Sequence, residues 1–363
     1  MNIMTPKERL IAALNNQPVD KVPFWPKSAQ DYVNYQTNGK YNDWSLRDYH
    51  EYFDSDLWQT CAENTKLAPS CVSQYDETPE AGNRDRVVIR HIIGSDERKS
   101  VRIKGHPVEF SIKNLNDIIF MTAWFQGTRY ETDEVNLEKQ KQQLQKLGDR
   151  GILAHRLGKS PLMLFIEILA GVENAHYFLH DFPDEIDVLF EAMHQDILRR
   201  TKVALKSSVA DLFFMGENTS TTLISPAQYR KYTKKHIADY KQVCSEHGKL
   251  MALHMCGFLK GVLADLADLE IQSFEAFTTP PVGNTHLLDG RLTNPNTCII
   301  GGTNAALWLQ PAKDICQAIK EELDALPHHR GIVVSSAGVM PPACNPETIK
   351  RVADFVHAYP ARF

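Results

Sequence analysis

Histidine and cysteine side chains that could hold a zinc ion follow two apolar segments of the chain. His254 and Cys256 stand two positions apart at the end of the first segment, residues 250–254. Side chains at positions i and i+2 of a strand point the same way, so this imidazole and thiolate can converge on one ion. Cys344 follows a later apolar segment and precedes a predicted helix start at Asn345, whose unpaired amides favour a thiolate. Three such ligands with one open position are typical of a catalytic zinc site.

Two carboxylates at other predicted strand ends could complete this site. Glu217, with Asn218 beside it, follows the apolar segment 211–215, and Glu275 lies at the end of the segment 271–276. Either glutamate could be a fourth zinc ligand that yields to substrate, and the sequence does not separate them. The alternative is that these cysteines are ordinary buried thiols and the histidine a hydrogen-bonded core residue. Spacing alone does not decide between the two interpretations.

The elements that must position these residues alternate between apolar strands and amphipathic helices. Such alternation at short intervals favours a parallel sheet with right-handed crossovers, and the number of units favours a closed (β/α)8 TIM barrel. The alternative, an open doubly wound sheet, usually carries a glycine-rich turn after its first strand. Here that strand ends in Trp25-Pro26-Lys27-Ser28, without such a turn. In a barrel these strand ends meet at one mouth, where active sites lie.

One stretch of the chain has a different pattern. Residues 86–93, 100–104 and 108–112 alternate between apolar and polar side chains and are separated by short turns, which is typical of antiparallel strands. We therefore expect a single TIM-barrel domain over residues 1–363, with residues 83–125 as a β-hairpin insertion at the rim. Residues 40–80 are rich in Tyr, Trp and Asp and show little periodicity, so we expect irregular structure with short helices there.

Composition excludes several classes of protein. The 363 residues are 43% hydrophobic and 23% charged, with a formal net charge of −5. This balance argues against disorder and gives no broad basic footprint for nucleic acid. No apolar run has the length of a membrane span, and the N-terminus lacks the order of a signal peptide. We therefore expect a cytoplasmic protein without a membrane segment, whose seven scattered cysteines form no disulfide framework.

At these motifs the sequence resembles the uroporphyrinogen decarboxylase superfamily, in its zinc-dependent, corrinoid-linked methyltransferase branch. The resemblance runs nearly end to end, and each matching motif is short. The matching segments are Thr5-Pro6-Lys7-Glu8-Arg9-Leu10, Val22-Pro23-Phe24-Trp25, Glu217-Asn218, Leu223-Ile224-Ser225-Pro226, His254-Met255-Cys256-Gly257, Ser273-Phe274-Glu275 and Cys344-Asn345-Pro346-Glu347.

The resemblance implies roles for the candidate residues. His254, Cys256 and Cys344 would bind Zn²⁺, with Glu217 or Glu275 as the exchangeable fourth ligand, and Asn218 would orient the substrate oxygen. The cofactors would then be zinc and a corrinoid (cobalamin) carried by a partner protein, and the substrate a small methylated compound. True decarboxylases of the superfamily carry an arginine-rich segment near the first strand. Residues 25–32 contain one lysine and no arginine, which argues against decarboxylation here.

Two methyltransferase chemistries remain open at the level of sequence. In one, zinc acts as a Lewis acid on a methyl ether while the partner's Co(I) accepts the methyl group. In the other, zinc delivers a thiol such as coenzyme M to a methylated corrinoid. Phe24, Trp25 and Phe277 would give apolar walls suited to an aryl ring, which favours an O-demethylase with an aromatic donor. A fourth candidate for such a wall, Phe214, is interpreted as barrel core. A non-catalytic barrel that only binds a corrinoid protein is a further alternative, and the sequence leaves open whether the barrel forms a homodimer.

Overall fold

The computed structural model describes residues 3–36, 41 and 43–363, and its strands fall into three sheets. In chain order the strands are β1 (Phe24–Trp25), β2 (Leu57–Thr60), β3 (Thr65–Leu67), β4 (Ser73–Glu80), β5 (Asn83–Ile93), β6 (Asp96–Ile103), β7 (His106–Glu109), β8 (Tyr130–Thr132), β9 (Gly151–Gly158), β10 (Leu212–Gly216), β11 (Leu250–His254), β12 (Ser273–Thr278), β13 (Cys298–Thr303) and β14 (Ile332–Ser335).

The helices surround the largest sheet. In chain order they are α1 (Pro6–Leu14), α2 (Gln30–Tyr35), α3 (Leu46–Phe53), α4 (Leu115–Gly127), α5 (Glu134–Leu147), α6 (Pro161–Leu164), α7 (Val172–Asp181), α8 (Pro183–Ser207), α9 (Pro226–Tyr232), α10 (Lys234–Glu246), α11 (Leu263–Ala267), α12 (Leu287–Thr293), α13 (Ala312–Asp324) and α14 (Pro346–Ala358). Short 3₁₀ segments cover Gly148–Arg150 and Ala305–Leu309, and a π-helical segment covers Phe165–Leu169.

Eight parallel strands form a barrel in the order β1-β14-β13-β12-β11-β10-β9-β2. Its two outer strands, β1 and β2, also approach each other. The backbone N–H of Asp56 donates to the carbonyl oxygen of Phe24 at 2.8 Å, and the Trp25 and Trp58 rings stack with centroids 5.0 Å apart. Around the circle the strands therefore follow chain order, which confirms the predicted (β/α)8 TIM barrel and excludes the open sheet.

The barrel interior is filled by side chains from alternate strand positions. Trp58, Ala154, Phe214 and Ile300 belong to one buried cluster inside the barrel, which α1 covers from below. Neighbouring positions on the same strands face outward and pack against the helices in a second, larger cluster. Inward residues beyond this filled layer therefore lie at the mouth of the barrel.

The predicted antiparallel addition is confirmed, with more strands than the sequence indicates. β4 to β7 form a four-stranded antiparallel sheet in sequential order, and β3 pairs with β8 in a separate two-stranded sheet. The sheet begins at Ser73, inside the stretch that we expected to be irregular, and α4 follows it. That same stretch also contains β2, a strand of the barrel. Four and three residues are too few to show a periodic pattern, so β2 and β3 are not apparent in the sequence.

None of the helices within the described residues is long and apolar enough to cross a membrane.

Candidate active site at the barrel mouth

A cavity of about 1600 Å³ opens at the carboxyl ends of the barrel strands. Aromatic rings form its floor. The Trp25 and Trp58 rings are stacked at an interplanar angle of 7°, and the Phe214 ring meets Trp58 edge-on at 5.6 Å. The His254 ring lies 6.2 Å beyond Phe214. Strand alternation places these rings inside the barrel, so the floor is an apolar, aromatic surface with an imidazole at its edge.

Glu275 holds His254 from the neighbouring strand. The two residues are register partners on β11 and β12, and Glu275 Oε2 contacts His254 Nδ1. Burial by itself would raise the pKa of Glu275, but the charges of Lys27 and His254 outweigh it and hold that pKa below its ordinary value. Burial likewise opposes the charge on His254, but Glu275 outweighs it and raises the pKa of the imidazole. The contact leaves Nε2 as the ring nitrogen that can bind a metal ion.

Lys27 completes this cluster from the end of β1. Its Nζ lies 2.6 Å from Glu275 Oε1 and 3.3 Å from His254 Nδ1. The backbone of Lys27 has φ of 51°, a left-handed conformation that turns the chain directly after Pro26. In the sequence, this lysine is notable only because residues 25–32 contain no arginine. Its link to Glu275 is a contact between the first and sixth barrel strands, which no local pattern reveals.

Cys256 and Asn218 meet on the adjacent loops. The Cys256 thiol lies within hydrogen-bonding reach of the His254 side chain and donates to Asn218 Oδ1 at 3.5 Å. The amide nitrogen of Asn218 donates to Glu167 Oε2 at 3.0 Å, and Lys159 pairs with the same oxygen at 2.9 Å. Asn218 has φ of 43°, so its backbone is also held in the left-handed region. The structure therefore brings His254, Cys256 and Asn218 together at the mouth of the barrel.

Glu217 points away from the cavity into the protein. Its side chain is fully buried, and Oε1 accepts a hydrogen bond from the Ser160 backbone N–H at 2.5 Å. Its second oxygen, Oε2, has no partner among the described residues. Burial raises the pKa of this carboxyl to about 7. Its backbone N–H donates to the His254 carbonyl at 3.0 Å, so Glu217 is tied to the site through the main chain.

Cys344 lies apart from the other two predicted zinc ligands. Its side chain is 2% exposed, and burial raises the pKa of its thiol to about 12. The Tyr32 hydroxyl donates to its carbonyl oxygen at 2.8 Å, which ties its loop to α2. Among residues 3–36, 41 and 43–363, no three His, Cys, Asp or Glu side chains are grouped closely enough to hold a metal ion. His254 and Cys256 thus fit two positions of a zinc site, and Cys344 does not supply the third in this arrangement.

The predicted aromatic walls divide into one residue at the cavity and two outside it. Trp25 lines the cavity. Phe24 is buried in the outer layer, with its ring 6.1 Å from that of Trp308. Phe277 is also buried in the outer layer, where Gly290 of α12 approaches its ring. Phe24 must face away from the barrel because its strand neighbour Trp25 faces inward. The structure replaces these two walls with Trp58 and Phe214.

Comparison with known proteins places the chain in a family. The fold and the site at its mouth define a TIM barrel with a cavity at the carboxyl ends of its strands. A model of the uroporphyrinogen decarboxylase (URO-D) family matches residues 147–359, and the chain belongs to that family. No curated protein matches the chain.

Two solved structures align with most of the chain, and the first of them shares its fold. The chain is similar to a methyltransferase from Methanosarcina mazei, with 18% identity and a TM-score of 0.62 over 97% of this chain and 98% of that one. It also aligns with a protein described as a putative vitamin-B12 independent methionine synthase from Listeria monocytogenes. That alignment has 12% identity and a TM-score of 0.45, covering 93% and 96% of the two chains.

Proposed function

We propose that this protein is a zinc-dependent methyltransferase that moves a methyl group from a methoxylated aromatic donor to the Co(I) corrinoid of a partner protein. The observation that carries the proposal is the aromatic floor beside His254 and Cys256. An aryl ring lying over the stacked Trp25 and Trp58 rings would gain apolar burial and ring–ring contact. Membership of the URO-D family and the fold shared with a protein named as a methyltransferase support this choice.

The proposed zinc ligands are His254, Cys256 and Cys344. The first two adjoin each other, with Nδ1 of His254 already engaged by Glu275 as metal-binding histidines usually require. Cys344 would join them only after its loop moves and its thiol loses a proton, which its present burial opposes. A bound zinc ion would supply Lewis acidity toward the ether oxygen.

The chain's own groups would fix the donor and its surroundings. Glu275 and Lys27 would hold the imidazole of His254 in one orientation. Asn218, fixed by Glu167, would orient the ether oxygen through its side-chain amide. The aromatic floor would position the ring and exclude water from one side of it.

The size of the cavity is consistent with a second reactant. Pockets for one small molecule are commonly about 300 to 1000 Å³. The present cavity, at about 1600 Å³, exceeds the space that one aromatic ring needs. We propose that the remaining space at the open side admits the corrinoid of the partner protein.

The test uses cob(I)alamin in place of the partner's corrinoid. Purified protein with zinc is incubated anaerobically with cob(I)alamin and a series of methoxylated benzenes, and methylcobalamin is followed by absorbance. We expect methylcobalamin to form with wild-type protein and not with Cys256→Ala. If methylcobalamin instead transfers its methyl group to 2-mercaptoethanesulfonate and no aryl ether reacts, the thiol-methylating alternative replaces this proposal.

Decarboxylation is a second candidate because the cavity is rich in basic side chains. Nine lysine and arginine residues of the described chain line it, and such a surface suits a substrate with several carboxylates. Incubation with uroporphyrinogen and analysis of the products by chromatography distinguishes the two functions. Loss of substrate carboxylates as carbon dioxide would support the decarboxylase, and unchanged uroporphyrinogen would exclude it.

A further inference from the structure

The charge of the cavity is opposite in sign to that of the whole chain. The protein carries a formal net charge of −5, while the described residues that line the cavity include nine basic side chains and two acidic ones, Glu63 and Asp196. Both carboxylates already accept hydrogen bonds from neighbouring groups of the cavity wall: Glu63 accepts from Thr65 Oγ1 at 2.7 Å, and Asp196 accepts from the Tyr130 hydroxyl at 3.0 Å. A cavity lined by one sign of charge concentrates ligands of the opposite sign. An anionic ligand is therefore favoured.

Several of the basic groups already have partners within the protein. Lys27 pairs with Glu275, and Lys159 pairs with Glu167. Arg200 is half-buried, and its guanidinium donates to the Leu157 carbonyl at 2.5 Å. These groups have less capacity to bind a ligand, because their hydrogen bonds and charge are already used.

Arg156 is one of the basic groups at the cavity whose side chains have no such partner among the described residues, and it stands on a strand of the barrel. It makes no hydrogen bond or ion pair with any other residue that the structure describes, and its side chain is exposed. It stands on β9 two residues after Ala154 and four after Ile152, on the strand face that points into the barrel. The alternation of the strand therefore directs Arg156 into the mouth, where it lines the cavity.

The strand register places Arg156 across the aromatic floor from His254. Arg156 is the register partner of Phe214 on β10, and Gly216 of that strand is the register partner of His254 on β11. Two strand spacings of about 4.8 Å put the two chain segments about 10 Å apart, with Phe214 between them. A benzene ring over this floor would direct a substituent on one side to His254 and a substituent on the opposite side to Arg156.

We propose that Arg156 binds a carboxylate on the ring of the aromatic methyl donor, so that the preferred donors are methoxybenzoates. This inference rests on the proposed function, since it assumes that the ring occupies the floor with its ether beside His254. A guanidinium accepts a carboxylate through two parallel hydrogen bonds, which fixes direction as well as distance. The anchored carboxylate would hold the methoxy group at the opposite end of the floor.

Binding measured without catalysis tests the inference apart from the reaction. The affinities of 4-methoxybenzoate and the neutral 4-methoxybenzamide are measured by calorimetry on the wild type, Arg156→Gln and Arg156→Lys. Arg351→Gln is the matched control, because Arg351 is exposed on α14 and does not line the cavity. We expect the wild type and the control to prefer the carboxylate by about tenfold or more. Arg156→Gln should lose this preference, and Arg156→Lys should retain part of it.

Each other outcome overturns the inference. Arg156 is excluded as the carboxylate site if the wild type binds the two ligands with equal affinity or binds neither of them. It is also excluded if the preference for the carboxylate persists in Arg156→Gln. The proposed function is judged separately from methylcobalamin formation. Methyl transfer from neutral aryl ethers as fast as from methoxybenzoates would leave that function standing and remove this inference. A carboxylate preference that depends on Arg156, found together with an absence of methyl transfer, would support Arg156 as a carboxylate site and exclude the proposed function.

Discussion

Glu275 contacts the Nδ1 atom of His254 across two adjacent barrel strands, and its other oxygen is held by Lys27 at 2.6 Å. This arrangement uses both oxygens of the carboxylate within the protein. It therefore favours a role for Glu275 in orienting the imidazole over a role as a direct zinc ligand. In Glu217, one carboxylate oxygen accepts a hydrogen bond from the Ser160 backbone N–H, and the other is buried without a partner among the described residues.

The first prediction concerns this carboxylate. Glu275→Gln keeps the shape of the side chain but removes the negative charge that pairs with Lys27 and with the imidazole of His254. We therefore expect the zinc affinity to fall about 10- to 100-fold. Competition with a chromophoric chelator measures the change. Glu138→Gln, an exposed position on α5, is the control and should bind zinc as the wild type does. Equal zinc affinity in Glu275→Gln and wild type would contradict the positioning role.

The second prediction concerns the thiol beside His254. Cys256→Ala should abolish both zinc binding and methyl transfer, because it removes one of the two ligands that already adjoin each other. Metal analysis and the methylcobalamin assay measure the two effects. Cys316→Ala, on the helix α13 and away from the cavity, is the control and should keep both properties. An active Cys256→Ala protein without zinc would exclude this metal site.

The third prediction tests packing between β12 and β13. A Cβ atom at Gly301 would lie 2.2 Å from the carbonyl oxygen of Phe277, a backbone atom that cannot move away alone. We expect Gly301→Ala to lower the free energy of unfolding by about 3 kcal/mol. Urea denaturation measures the change. Gly338→Ala is the control, because its nearest contact would be an ordinary 3.5 Å from the Ala305 Cβ, and we expect an effect within about 0.5 kcal/mol. A wild-type midpoint for Gly301→Ala would show that the barrel tolerates the shift.

The fourth prediction concerns a pair of histidines between α8 and α10. The rings of His194 and His236 are stacked with centroids 4.2 Å apart. Burial is the main cause that lowers the pKa of His236 to about 4, and the charge of the neighbouring His194 is the second cause. Between pH 6.5 and about pH 4, the His236 imidazole binds a proton in the unfolded chain but not in the folded protein. Stability therefore falls as the pH is lowered from 7 toward 4. The charged groups around the pair are Glu191, Lys235 and Asp239.

The substitution His236→Phe isolates this effect. Phenylalanine keeps an aromatic ring in the stack and does not titrate, so we expect the variant to lose about 1 to 2 kcal/mol less stability than wild type between pH 7 and pH 5. Urea denaturation at both pH values measures the difference. His180→Phe, whose ring is exposed on α7, is the control and should follow the wild type. Parallel pH dependence of His236→Phe and wild type would show that the buried pair does not titrate in this range.

Much of the barrel follows from local sequence, and the mouth of the barrel does not. The apolar strands alternate with helices, and this pattern determines the parallel sheet because each strand must bury both faces. The pattern also determines that His254, Cys256 and Asn218 meet, since the ends of adjacent parallel strands lie at one edge. The floor of the cavity depends on β2, whose four residues lie in an aromatic stretch without periodicity.

Sequence alone determined the fold class and which polar residues stand at the strand ends, because both are set by residues close in the chain. Only the tertiary structure decided which side chains share the cavity. Lys27 reaches Glu275 across the barrel, Phe24 and Phe277 face the helices, and Cys344 is buried beside α2. Arg156 and His254 stand on strands separated by β10, and the register of these three strands sets their relative positions. Register between strands is fixed by packing over the whole barrel, and a single strand does not specify it.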